Sequence, residues 1–215
     1  MARRNADPDP IVPPVDVPQL AFQFMRSNLS GHIAFDGDRR TIKVAPLPDG
    51  RLVAPVMVAM LRSTDVVVEL PDDGDDSLQL TVTLEGLDPN GTDGFACDRW
   101  RIYHGDPPDV RWALLSIDAG RYRGWFIDGP ALMRENPLAA CEPAICRDAN
   151  LELATLKRAI HKVVGSDPPS ALLVGADPWG FDVRRHVDVV RLRMKDGVTI
   201  SDERSAMAAL QDLAD

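Results

Sequence analysis

Few side chains in this sequence are equipped for chemistry, and their spacing narrows what they could do. His186 follows Arg184 and Arg185, so two planar guanidinium forks stand beside an imidazole, a combination suited to carboxylate or phosphate oxygens. The same three residues also suit an ordinary hairpin turn. Of the other histidines, His161 lies beside Lys162 in an amphipathic segment and reads as a surface residue, while His32 and His104 stand apart. Cys97, Cys141 and Cys146 lack the paired spacing of a zinc knuckle, so no metal site is expected. Ser30-Gly31-His32 brings a hydroxyl near an imidazole, but no Gly-x-Ser-x-Gly elbow surrounds it and a hydrolytic triad is not indicated. A further basic cluster, Asp38-Arg39-Arg40 with Lys43, reads as solvent-facing charge in a hairpin.

The balance of charge narrows the partners. Acidic residues number 33 against 24 basic ones, for a net charge of −9. Phosphate backbones and anionic lipid would meet long-range repulsion, so neither nucleic acid nor a membrane surface is an expected partner. Net charge says little about one pocket, and a locally basic one can still take a small-molecule anion. With 45% hydrophobic and 27% charged residues, the chain has the composition of a globular protein whose core needs no disulfides. No apolar run approaches the roughly 18 residues of a membrane span. An odd cysteine count and the lack of an apolar signal-peptide core lead to an expectation of reduced thiols and a cytoplasmic location.

These residues need a scaffold, and the pattern is β-rich. Residues 1–16, rich in proline and charge, predict an extended arm, and a short helix follows from Val17 to about Ser27 with Pro18 in its first turn. Strand-like runs fall at 31–36, 41–46, 51–56, 65–70 and 77–84, separated by Asp-Gly-type turns and one helical turn over 57–62. A helix over 94–104 precedes strands over 110–118 and 121–128. Five strands, a helix and two strands is the order of a Greek-key split barrel, although a β-sandwich accommodates the same strands. After an irregular stretch over 130–143, one helix over 148–164, strands at 171–175, 181–185 and 187–193, and a terminal helix from Asp202 to about Leu213 complete the chain. The expected class is therefore α+β, a Greek-key split β-barrel over 17–147 followed by a small C-terminal α/β unit over 148–215. That unit is expected to dock through the Leu153, Leu156, Ile160 and Val163 face, with Trp179 partly buried. The apolar run from Val53 to Leu61 would leave a large exposed patch on a monomer and predicts a homodimer.

Several segments carry a family likeness by their order. They are Gly31-His32-Ile33-Ala34 as first strand, Leu84-Glu85-Gly86 closing a long strand, Asp98 to Gly105 as a helix, Arg111 to Asp118, Gly124 to Gly129, and the closing Val174-Gly175-Ala176-Asp177-Pro178-Trp179-Gly180-Phe181-Asp182. Together they resemble the pyridoxamine 5'-phosphate oxidase-like FMN-binding split-barrel superfamily, in its haem-utilisation branch with a C-terminal accessory α/β domain. The resemblance covers most of residues 20–213. It implies a homodimer with FMN in the groove between subunits, the phosphate held by arginine or lysine from the middle strands and by a Ser/Thr turn. Carried onto this sequence, that role falls to Arg51, Arg62, Ser63 and Thr64, while Met57, Val58 and Met60 stand where the family has a second basic pair. The haem branch implies iron ligation by histidine, and Arg184, Arg185 and His186 are the residues suited to a haem and its propionates. The chain lacks that branch's terminal histidine and its His-Ala-Asp-Ala-like motif, Leu153-Ala154-Thr155-Leu156 standing in the region. Two readings follow: a relative of FMN- or haem-binding oxidoreductases with its ligand at a dimer groove, or a cofactor-free scaffold that binds a small ligand or a protein partner.

Overall fold

Alternating apolar residues and tight turns wind the first part of the chain into a curled antiparallel sheet. The structure, a computed structural model, describes residues 16–71, 77–107, 111–166, 168, 170–186, 188–195 and 197–215. The expected arm over 1–16 lies, but for Asp16, outside these residues. Helix α1 (Val17–Ser27) leads into β1 (Ser30–Phe35), β2 (Asp38–Lys43), the short β3 (Ala45–Pro46), β4 (Leu52–Val56), β5 (Val66–Leu70) and β6 (Leu78–Leu87). Helix α2 (Phe95–His104) then precedes β7 (Arg111–Tyr122) and β8 (Trp125–Asp128). In space the order is β2-β1-β5-β6-β7-β4-β3, with β8 also on β7. The first half of β7 pairs with β4, from Val56 opposite Arg111 to Leu52 opposite Leu115, and its second half pairs with β8. The sheet curls until β2 comes against β4 without joining its ladder. The result is a half-closed barrel with a split between those two strands.

Two hairpin turns share one device. Asp36 and Gly37 have φ of 47° and 84°, and Arg123 and Gly124 have φ of 50° and 84°. Positive φ at both central residues is the type I′ geometry, whose twist matches the strands it joins. Phe35 thus faces Asp38, and Tyr122 faces Trp125. The sequence reading breaks the later strand pair at Ala119-Gly120, whereas β7 runs through that point. Gly120 serves packing instead, because a Cβ there would stand 2.5 Å from a methyl of Leu132.

Helix α3 (Gly129–Leu132) packs on β7 and puts Leu132 into the barrel core, and the second part of the chain is built from α4 (Glu142–Leu151), α5 (Leu153–Val164), β9 (Leu172–Asp177), β10 (Gly180–Arg184), β11 (Val189–Arg193) and α6 (Glu203–Ala214). The single helix expected over 148–164 is two helices that part at Glu152 (φ −95°, ψ 49°). Asn150 explains the break: its amide donates to the Leu173 carbonyl at 3.0 Å and accepts from the Leu173 N–H at 2.8 Å, tying the end of α4 to β9. Helix α5 then turns to pack on α6. Leu138, Ile145, Leu156, Ile160, Phe181 and Leu210 belong to a second core distinct from the barrel's, and it starts ahead of residue 148.

This changes how the unit docks. Leu156 and Ile160 are consumed by the unit's own core, while Leu153 and Val163 are 42% and 52% exposed. The contact with the barrel is made by the sheet β11-β10-β9, where a bulge at Asp182/Val183 sorts the strands' two faces. Leu173, Ala176, Phe181, Val183 and Leu192 enter the helical core, and Val174 enters the barrel core. The barrel-facing side also carries Gly175, Asp177, Asp182 and Arg191. Trp179 is half-buried as expected, edge-on to Phe22 of α1 at 5.2 Å.

Candidate functional site

The split of the barrel forms a groove of about 700 Å³. Its apolar floor is Ile42, Val56, Met60 and Trp100, all buried. Strand register places them there: Ile42 is the one inward residue of β2, and Val56 closes β4 opposite Arg111. Trp100 is held in plane from below, since its indole N–H donates to the Lys43 carbonyl at 2.8 Å. Gly31 allows β1 to run tight along the edge, because a Cβ there would meet the Glu69 carbonyl at 1.9 Å. Around the rim stand Arg40 and Lys43 from β2 and Arg111 from β7, with Met57 and Val58 half-exposed between the lips. No carboxylate lines the groove among the described residues. In a chain of net charge −9 that local excess of cation is the site's main electrostatic feature.

The residues suggested for a flavin phosphate do not gather. Arg51 lies in the β3–β4 turn, with its guanidinium on the Asp49 carboxylate at 2.7 Å. Arg62, Ser63 and Thr64 lie past the opposite end of β4, whose five residues span about 16 Å at the usual strand rise. The Ser63 hydroxyl donates to Asp36 at 2.9 Å. Of the nearby methionines, Met60 is floor and Met57 is rim. The side chains that do converge on the groove, Arg40 and Lys43, belong to the cluster that reads from sequence as solvent-facing charge. Only the pairing of β1 with β2 and the curl toward β4 bring them there.

Arg184, Arg185 and His186 do come together, with His104, around a smaller hollow of about 300 Å³. The guanidinium donors are committed to the protein. Arg184 donates to the Ile102 and Arg101 carbonyls at 2.7 and 3.2 Å, closing the C-terminal end of α2, and Arg185 pairs with Asp188. His104 puts Nε2 2.9 Å from the Val44 carbonyl, which leaves that nitrogen unsuited to iron. Among the described residues no group of three His, Cys, Asp or Glu side chains is placed to hold a metal ion, and no helix is long and apolar enough to cross a membrane.

Burial holds His104 down at about 4, with Lys43 and Arg184 adding to the effect against the Val44 hydrogen bond. An unfolded histidine titrates near 6.5. Between those values the unfolded chain takes up a proton that the folded chain refuses, so stability is full above pH 6.5 and falls as pH is lowered toward 4. The loss is expected to be on the order of 3 kcal/mol. Denaturant titrations across this window should show that slope in the wild type and a shallower one in His104→Gln. Equal slopes would remove histidine from the account.

Sequence reasoning missed the most charged part of the molecule, the seam between barrel and C-terminal unit. Asp182, fully buried, accepts from Arg26 at 2.7 Å, from Arg191 at 2.8 Å and from the Tyr103 hydroxyl at 2.8 Å. Asp177 pairs with Arg191 and, at 3.1 Å, with Arg26. Glu142 receives both terminal nitrogens of Arg99 at 2.9 Å and the Ala176 N–H at 3.0 Å. Arg99 in turn donates to the Pro46 carbonyl and to the Tyr103 hydroxyl. Beside this network Arg134 lies between the faces of Phe22 and Trp179, 4.8 and 5.8 Å from their centroids. The partners come from α1, α2, α4 and the β9–β11 sheet, up to 156 residues apart in sequence, so no local motif announces them. Their one legible trace is the pair of aspartates flanking the Pro178-Trp179-Gly180 turn. With its carboxylates and guanidinium groups largely saturated by each other, the seam is built for cohesion.

No family model matches the chain, and no curated protein does. Among solved structures, a protein of unknown function from Agrobacterium tumefaciens superposes with a TM-score of 0.73 over 98% of this chain and 100% of its own, at 18% identity. At that identity the likeness is one of fold: a split barrel carrying a C-terminal unit.

Proposed function

We propose that the chain binds a small anion with a planar or apolar body in the groove between β2 and β4, and that flavin phosphate is the leading candidate. The observation that carries the reading is a rim of Arg40, Lys43 and Arg111 that no carboxylate lines among the described residues, although Asp38 stands 3.8 Å from the Arg40 guanidinium, around an apolar floor in an otherwise acidic chain. The volume is in the range of sites that enclose small molecules. Arg40, Lys43 and Arg111 would hold the anionic group, and Ile42, Val56, Met60 and Trp100 would shelter the body from water. Flavin would supply two-electron redox chemistry; the chain's own residues bind and orient it. The half-exposed Met57 and Val58 support a second copy of the chain across the groove's mouth, which light scattering tests directly. A haem at Arg184, Arg185 and His186 has less support, because both guanidinium groups there are engaged.

Flavin titration followed by fluorescence quenching tests the proposal. Wild-type binding should weaken about 10- to 100-fold in Lys43→Ala or Arg111→Ala, the loss of one charge-assisted hydrogen bond of about 1.5–3 kcal/mol, and stay unchanged in Arg62→Ala. Weakening in Arg62→Ala alone would move the phosphate to the Ser63-Thr64 turn. A folded wild type that takes up neither FMN nor haem would leave the cofactor-free scaffold as the reading.

A further inference from the structure

The seam between barrel and C-terminal unit contains two polar atoms that the network does not serve. Arg26 Nε and Asp177 Oδ2 are buried without a hydrogen-bond partner among the described residues, on side chains only 8% and 4% exposed. Asp177 Oδ2 lies 3.1 Å from a terminal nitrogen of Arg26, an ion-pair distance that does not meet hydrogen-bond alignment. Leaving a buried donor or acceptor unserved costs about 1–3 kcal/mol, more when it is charged. Both residues line the same small cavity, beneath Trp179 and Asn136, with a volume of about 20 Å³. One water needs roughly 10–15 Å³ by the same measure.

We propose that this cavity is a binding site for a single water molecule, which accepts from Arg26 Nε–H and donates to Asp177 Oδ2. The occupant must do both at once. A halide would accept from the guanidinium but face the Asp177 carboxylate, and a cation would face Arg26. The surroundings supply no net charge for an ion to neutralise: Arg26, Arg99 and Arg191 balance Asp177, Asp182 and Glu142, and the remaining charges on the wall, Arg134 and Glu135, cancel. Water is the neutral molecule of this size with both functions. It completes the seam, joining α1 of the barrel to the end of β9 where direct alignment fails.

A high-resolution crystal structure of the full chain, with a parallel crystal soaked in bromide, tests the site. The expected result is one well-ordered water within hydrogen-bond distance of both atoms and no anomalous bromide signal there. An empty cavity, a direct Arg26 Nε–Asp177 contact that closes it, or a bromide peak overturns the proposal. In solution, oxygen-17 relaxation dispersion should detect a slowly exchanging water that is lost in Arg26→Lys, which keeps the charge but removes the Nε donor. An undiminished signal in an Arg26→Lys protein whose circular dichroism is native also overturns it.

Discussion

Replacing Asp182 with alanine is expected to destabilise the fold by about 3–5 kcal/mol, the usual cost of breaking a buried ion pair from one side. The effect comes from what is left behind. Arg26, Arg191 and the Tyr103 hydroxyl all lose the Asp182 acceptor in a place shielded from bulk solvent. Asp177 keeps a hold on both arginines, which bounds the loss, and Asp182→Asn should fall between wild type and alanine because it retains one acceptor oxygen but not the charge. Urea melts at pH 7 measure this directly, and a loss below about 1 kcal/mol would mean that apolar burial alone holds the two units together. The same carboxylate sets an acid limit. Burial by itself pushes its pKa up, but the Arg26 and Arg191 charges and the Tyr103 and Arg191 hydrogen bonds outweigh that and hold it below the ordinary range. Its stabilisation is therefore present above the unfolded value of about 3.9 and is lost as pH falls through the lower folded value. Acid unfolding should accordingly proceed in two stages, a gradual weakening below pH 6.5 from His104 and a cooperative failure below about pH 4 from the seam.

Gly175→Ala should cost about 3 kcal/mol or more, by a different route. Gly175 lies in β9 against the barrel, and a Cβ there would stand 1.9 Å from the Tyr103 hydroxyl and 3.1 Å from Asp182 Oδ2. Tyr103 is fully buried and donates to Asp182 from that position, so it has no room to withdraw. Overpacking of this kind costs about 1–3 kcal/mol, and the lost charge-assisted hydrogen bond adds a similar amount. A double-mutant cycle identifies the cause. Tyr103→Phe removes the clashing oxygen, so in that background Gly175→Ala should cost much less than in the wild type. Equal costs in the two backgrounds would show that the glycine is required by the backbone rather than by the tyrosine.

The elements that were legible in the sequence are those specified by neighbours in the chain. The N-terminal helix follows from Pro18 in its first turn, while the Asp16 cap and the buried stripe of Ala21, Phe22 and Met25 are what the structure adds. Asp36-Gly37 announces its hairpin because few dipeptides tolerate positive φ twice. Alternation of Leu78, Leu80 and Val82 betrays a strand with one wet face. Where such signals were misread, a nonlocal contact had taken over the residue: Gly120 is small for Leu132 rather than for a turn, and Asn150 ends a helix because β9 lies beside it.

The α+β class and a split barrel followed by a smaller α/β unit were thus within reach of the sequence alone, because local periodicity and turn chemistry specify strands, helices and their order. The sites were not. Arg40 and Lys43 carry the same side chains whether a hairpin points them at water or at a groove, and only the curl of the sheet toward β4 decides which. Arg26, Arg99 and Tyr103 become internal, and Asp177, Asp182 and Glu142 become their counterions, when the barrel and the β9–β11 sheet close on each other. Burial and pairing are properties of that closure. They depend on residues up to 156 positions apart, and no spacing along the chain encodes them.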